Sequence, residues 1–123
     1  MSDVLRDGAS RRLVWGADSS GRCRAREYVE GLADSERAKF EALFRLMAET
    51  GKIRSKERFA KEPDGIYCFK NHGRRIACFF EGRDVVLIDG FGKKTNQSKR
   101  SRRRLETAAR LRVEYLNENQ KEV

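Results

Sequence analysis

Runs of apolar residues separated by short polar breaks between positions 66 and 92 predict three short β-strands. The strands cover 66–70, 75–81 and 85–91. Aromatic and β-branched residues are enriched within them, and Gly, Asn and Asp at the breaks suit the tight turns of antiparallel hairpins. In the middle strand, Arg75 shares one face with Ala77 and Phe79, because successive side chains point to opposite faces. An arginine so close to a hydrophobic run is either an edge residue in water or a cation aimed into a shaped site.

Two helices are predicted before these strands and one after them. The first covers 22–30 and ends at Gly31, which suits a left-handed C-terminal cap. The second carries an apolar stripe about 100° wide, which indicates packing against a sheet, and it ends at Gly51. The stripe consists of Phe40, Leu43, Phe44 and Met47. The third helix starts near Ser98 or Ser101 and reaches about Asn117.

A first strand over 11–15 completes the order β-α-α-β-β-β-α. Antiparallel hairpins with helices packed on one side of the sheet make this an α+β fold. A chain of 123 residues corresponds to one domain, since domains usually hold about 100–150 residues. We expect a flexible N-terminus over 1–10, a single domain over 11–118 and a C-terminal tail over 119–123.

The charge and the cysteine and histidine content narrow the class of protein. A net charge of +9 favours a polyanionic partner over a neutral one, and an ordinary soluble protein with a basic surface is the alternative. Three widely spaced cysteines without a secretory signal suit neither a zinc site nor disulfides, and they indicate reduced thiols in the cytoplasm. No apolar run approaches the ~18 residues of a membrane span. The single histidine, His72, rules out a His-based triad or metal cluster, so we expect no metal and no cofactor.

The first turns of the last helix are strongly basic. Their positive residues are Lys99, Arg100, Arg102, Arg103 and Arg104. Positive charge at a helix N-terminus opposes the macrodipole and costs about 0.3 kcal/mol or more per exposed charge. Arg102 and Glu106 offset part of this cost as an i, i+4 pair. The cluster therefore indicates an anionic partner at this end of the helix.

The order and spacing of these segments resemble the RelE/HigB toxins of type II toxin–antitoxin systems, and in particular the phage-derived HigB-like branch of the RelE/ParE superfamily. The residues that carry the resemblance are Gly65-Ile66-Tyr67, Arg75, Phe79-Phe80, Val85-Val86-Leu87 and Gly90-Phe91-Gly92-Lys93-Lys94-Thr95. It continues upstream through Tyr28-Val29-Glu30-Gly31-Leu32 and downstream to Glu114-Tyr115-Leu116. The resemblance implies a small twisted sheet with a concave basic face.

The resemblance also implies an activity: ribosome-dependent cleavage of mRNA, which inhibits translation in the cytoplasm until a helix-turn-helix antitoxin neutralises the toxin. Such metal-independent endoribonucleases use the 2′-hydroxyl of the RNA as nucleophile, so the protein must stabilise charge on the phosphate and move two protons. By resemblance, the catalytic residues are Arg75, Lys93 and Lys94. The RNA-binding residues are Lys70, Arg74, Lys99, Arg100, Arg102 and Arg103. For Lys93 and Lys94, a solvated loop is the alternative.

The chain departs from this family in its proton-transfer groups. Some RelE-like toxins carry a tyrosine or histidine after the last strand as general acid or base, whereas residues 96–100 here contain neither. Tyr67 and His72 are the nearby candidates for this role. The sequence therefore supports phosphate binding better than proton transfer.

Two other functions fit the same sequence. A ParE-like toxin that inhibits DNA gyrase would share the fold without needing nuclease residues. A non-enzymatic module that grips nucleic-acid phosphates would show affinity that falls steeply with salt and would not cleave RNA. The basic residues around Arg75 favour the nuclease.

Overall fold

Over residues 3–92 and 98–121, the protein forms one six-stranded sheet, with the strand order β1-β2-β6-β5-β4-β3, and three α-helices. The computed structural model describes residues 3–92 and 98–121, and of residues 98–100, 120 and 121 only the backbone. The strands are β1 (Asp3–Asp7), β2 (Arg12–Trp15), β3 (Phe59–Lys61), β4 (Tyr67–Asn71), β5 (Arg74–Glu81) and β6 (Asp84–Gly92). The helices are α1 (Arg24–Glu30), α2 (Asp34–Thr50) and α3 (Ser98–Lys121).

The sheet is mainly antiparallel, which confirms the predicted α+β fold class. Strands β4, β5 and β6 are consecutive antiparallel neighbours, as the apolar runs and the turn residues between them predict. The parallel pair is β2 with β6, in which Leu13 lies opposite Val85. None of the helices within residues 3–92 and 98–121 has the length and apolar character that crossing a membrane requires.

Two short strands lie where the sequence indicated no strand. Residues 3–7, expected to be flexible, form β1 and pair with β2. Phe59–Lys61, for which the sequence predicted neither a helix nor a strand, form β3 and pair with β4. Both are edge strands of three to five residues. A short edge strand is stabilised by the neighbour with which it pairs, so its own sequence carries little alternation to predict it.

The helices cover both faces of the sheet. Helices α1 and α2 pack on the face that contains Ile76 and Cys78, whereas α3 packs on the face that contains Ala77 and Phe79. The expectation that all helices lie on one side is therefore wrong for α3. The physical reason is visible in the middle of β5, where Ile76 and Cys78 on one face and Ala77 and Phe79 on the other are apolar and buried, so both faces need a cover.

The two helix-ending glycines differ in backbone conformation. Gly51 ends α2 as predicted, and it is left-handed, with a φ of 82° and an N–H that donates to Met47 O at 2.8 Å. Gly31 ends α1 with a φ of −84°, so the predicted left-handed cap of α1 is wrong. The predicted stripe of α2 is confirmed, since Phe40, Phe44 and Met47 are buried against the sheet.

Candidate nucleic-acid interface

The register of the three central strands places Lys70, Arg75 and Phe91 side by side. Lys70 lies opposite Arg75 across β4 and β5, and Arg75 lies opposite Phe91 across β5 and β6. Because neighbouring strands are about 4.8 Å apart, these three residues, here called the cross-strand row, span about 10 Å. Phe91 packs in the same cluster as α3, so the row lies on the α3 face of the sheet.

Arg75 is half-buried in the middle of the cross-strand row. Within residues 3–92 and 98–121, its guanidinium makes no hydrogen bond and no ion pair. Burial raises the pKa of the Cys68 thiol, on the neighbouring strand β4, to about 12. The positive charge of Arg75 opposes part of that rise. Arg75 thus keeps donors that match the planar geometry of a phosphate.

Lys70 supplies a second cation at one end of the row. Its ammonium group donates to Lys56 O at 3.4 Å, and its backbone N–H donates to Arg58 O at 2.8 Å. A lysine ammonium has three donors, so two remain for an anion. Lys70 and Arg75 are therefore two adjacent cations on one face of the sheet.

Arg104 of α3 lies at the other end of the row. Its Cζ atom is 5.5 Å from the centre of the Phe91 ring, and its side chain is 40% exposed. Arg104 is one of the basic residues at the start of α3, but its sequence position did not assign it to the site. The spacing could have found it, because Arg104, Ala108 and Leu111 follow i, i+4, i+7 on the inner stripe of α3.

Asp89 holds Arg104 from inside the sheet. The carboxylate is 0% exposed, and its Oδ1 accepts hydrogen bonds from Arg104 Nη2 at 2.8 Å and from the Gly90 N–H at 2.9 Å. Burial raises the pKa of Asp89, while the charge of Arg104 and the Gly90 N–H oppose part of the rise. A register shift in the pairing of β5 with β6 adjoins Asp89, which lies opposite Ala77.

A cavity of about 460 Å³ opens beside Asp89, between the start of α1 and the start of α3. It is lined by Arg22, Arg24, Glu27, Tyr28, Asp89, Gly90 and Arg104. Carboxylates partly neutralise its arginines: Arg22 lies 2.6 Å from Glu27, and Arg24 lies 3.8 Å from Asp18. Arg104, which lies next to the Phe91 end of the cross-strand row, is therefore also part of the cavity wall.

Arg74 is separated from Arg75 by the sheet. It points to the face covered by α1 and α2, where its Nη1 lies 3.7 Å from Glu36 Oε2. The same carboxylate oxygen accepts a hydrogen bond at 3.1 Å from the amide of Asn71, which is 3% exposed. The structure therefore gives Arg74 an intramolecular partner and does not bring it to the cross-strand row.

The two acid/base candidates lie in different places. The Tyr67 ring stacks on Phe59 with 5.5 Å between centroids and contacts Phe80 edge-on, on the face opposite Arg75. His72 is exposed in the turn between β4 and β5, with a φ of 53°, two residues beyond Lys70. His72 is thus the candidate that shares a hairpin end with the cross-strand row.

The remaining predicted residues are described in part. Arg102 and Arg103 are exposed on α3. Lys99 and Arg100 belong to α3, but their side chains lie outside the described residues, as do Lys93 and Lys94 entirely. No group of three or more His, Cys, Asp or Glu within residues 3–92 and 98–121 could hold a metal ion.

Comparison with known proteins assigns the family. The family model for phage-derived protein Gp49-like (DUF891) matches residues 27–113, which is well over half of the chain. The chain belongs to this family. Gp49-like proteins are a family of toxin–antitoxin toxins related to the RelE/HigB toxins, and the match contains Arg75, Asp89 and Arg104. Searches of curated proteins and of solved structures found no match.

Proposed function

We propose that this Gp49-like protein is the toxin of a toxin–antitoxin pair and cleaves mRNA on the ribosome. The observation that carries this proposal is the adjacent pair Lys70 and Arg75 on one face of the sheet, with donors left for a phosphate. Family membership supports the toxin role, and the pair supports phosphate chemistry. The HigB-like branch is part of the same proposal.

The reaction needs no metal. The 2′-hydroxyl of the RNA attacks the adjacent phosphorus, the P–O5′ bond breaks, and a 2′,3′-cyclic phosphate forms. Arg75 stabilises the negative charge that develops on the phosphate oxygens, and a well-placed donor of this kind lowers the activation barrier by about 3–4 kcal/mol. Lys70 neutralises the same region as a point charge.

Two protons must move, from the 2′-hydroxyl and to the leaving 5′-oxygen. His72 is the proposed acid/base residue, because it lies at the same hairpin end as Lys70 and Arg75, whereas Tyr67 packs on the opposite face. Imidazole suits both transfers near neutral pH. The ribosome orients the mRNA, so we expect little cleavage of free RNA.

The proposed partners follow from the same surface. A helix-turn-helix antitoxin neutralises the toxin in the cytoplasm by covering the basic face, since electrostatic complementarity permits occlusion without a covalent change. The proposed catalytic set also includes Lys93 and Lys94, and the proposed RNA-binding set includes the basic start of α3.

Induced expression in a bacterial host, followed by primer extension on an abundant translated mRNA, tests the proposal. We compare wild type with Arg75→Ala and with Arg45→Ala, which removes an exposed arginine from α2 on the opposite face. We expect growth arrest and translation-dependent cuts for wild type and Arg45→Ala, and cuts reduced about 100-fold or more for Arg75→Ala.

Growth arrest without cuts would overturn the nuclease and favour a ParE-like inhibitor of gyrase. Neither arrest nor cuts, with RNA binding that falls steeply with salt, would instead favour a non-enzymatic binding module. Cuts that persist in Arg75→Ala would remove Arg75 from the site.

A further inference from the structure

Arg104 has hydrogen-bonding capacity beyond its partners in the fold. Its Nη2 donates to Asp89 Oδ1 at 2.8 Å and to Gly90 O at 3.3 Å. A guanidinium has five N–H donors, and within the described residues the hydrogen bonds of Arg104 involve Nη2 and not Nη1. Nε also lacks a partner there but is buried, whereas the side chain as a whole is 40% exposed, so Nη1 is the group that remains for a ligand.

Arg104 also extends the cross-strand row. Its Cζ atom lies 5.5 Å from the ring of Phe91, and Phe91 is the cross-strand neighbour of Arg75. Phe91 is only 6% exposed, so it separates the two arginines with an apolar surface rather than with a competing polar group. The cations therefore follow one line over β4, β5 and β6 to α3: Lys70, Arg75 and Arg104.

Holding α3 through the buried carboxylate of Asp89 carries a desolvation cost. A fully buried carboxylate loses its hydration, and a buried ion pair often stabilises a protein no more than apolar residues of the same volume would. What the pair does supply is geometry, because Asp89 sits on a central strand and receives a second hydrogen bond from the Gly90 N–H. A guanidinium fixed in this way keeps one orientation.

We propose that Arg104 is a further RNA-binding residue of this interface, contacting a second phosphate next to the one held by Arg75, and that Asp89 is its positioning residue. This inference rests on the proposed function, since RNA is the polyanion of that reaction. The competing explanation is that Arg104 only neutralises Asp89 and makes no contact with RNA.

The test measures binding of a fluorescein-labelled single-stranded RNA decamer to the full chain by anisotropy, over a series of salt concentrations. Each phosphate contact on a single strand contributes about 0.7 to the slope of log K against log salt. The variants are Arg104→Gln combined with Asp89→Asn, which keeps a neutral hydrogen-bonded pair, Asp89→Asn alone, and Arg75→Ala. The matched control is Arg110→Gln, which removes an exposed arginine from the outer side of α3.

We expect the double variant to lower the slope by about 0.7 and the affinity about fivefold at 0.1 M salt, with an unfolding midpoint in urea close to that of wild type. Asp89→Asn alone adds one net positive charge, so simple electrostatics predicts tighter binding. Loss of the positioning group predicts weaker binding, which is the result that we expect.

An unchanged slope in the double variant, with a lowered slope in Arg75→Ala, would overturn the assignment of Arg104 and leave the proposed function standing. Slopes of Arg75→Ala and the double variant that both equal that of Arg110→Gln would remove the whole face as an RNA interface. Tighter binding by Asp89→Asn would overturn the positioning role of Asp89.

Discussion

Gly90 is the position where an added methyl group should do the most damage near the interface. A Cβ atom there would lie 2.5 Å from Cγ of Tyr28 and 2.6 Å from its Cβ and Cδ2. Carbon atoms pack at about 3.5–4.0 Å, so the tyrosine would have to move by about 1 Å. Its Cβ is attached to α1, which is anchored by the buried Ala25 and Val29, so the ring cannot turn away alone.

The expected cost of Gly90→Ala is a net loss of about 2 kcal/mol in the free energy of unfolding. Overpacking of this kind costs about 1–3 kcal/mol, and three contacts near the backbone put Gly90 at the upper end. A Gly→Ala change in unstrained backbone would return up to about 1 kcal/mol by restricting the unfolded chain. This net loss is a large share of the total free energy of unfolding of a small domain, which is about 5–15 kcal/mol.

Urea unfolding followed by the fluorescence of Trp15 measures this change. Gly92→Ala, on the same strand as Gly90, is the matched control. A Cβ atom at Gly92 would lie 3.8 Å from Tyr28 Oη, which is an ordinary contact, so we expect no loss of stability. Combining Gly90→Ala with Tyr28→Ala should recover at least about 1 kcal/mol relative to additivity. Equal stabilities for the two glycine variants, or strict additivity in the double mutant, would refute the packing argument.

Two further predictions concern His72 and Asp89. His72→Gly should raise the free energy of unfolding, measured in urea, by up to about 1 kcal/mol, because glycine suits the left-handed φ of 53°. The same variant should abolish the mRNA cuts. A stabilised variant that still cuts would exclude His72 from proton transfer. Because the pKa of Asp89 is higher in the folded state than in the unfolded state, where it is about 3.9, protonation of Asp89 favours the folded state. This contribution to the free energy of unfolding is complete below the unfolded pKa and is lost as the pH rises through the folded pKa. Stability of wild type minus that of Asp89→Asn should therefore fall from about pH 4 upward, and a rise with pH would show that Arg104 outweighs burial.

Local sequence determined the hairpin that carries the candidate site. Aromatic and β-branched runs with turn residues at their ends predicted β4, β5 and β6, and the short turn at 72–73 brings Lys70 opposite Arg75. The stripe of α2 was equally readable, because periodicity of 3.6 residues is a local property. These features need only neighbours along the chain.

Tertiary structure alone decided which charges meet. Consecutive side chains of a strand point to opposite faces, so Arg74 pairs with Glu36 under α2 while Arg75 faces α3, a separation that depends on where each helix packs. Asp89 and Arg104 lie 15 residues apart and meet because α3 covers the second apolar face. Such contacts, like the parallel pairing of β2 with β6, follow from burying both faces of the sheet at once, which no local pattern encodes.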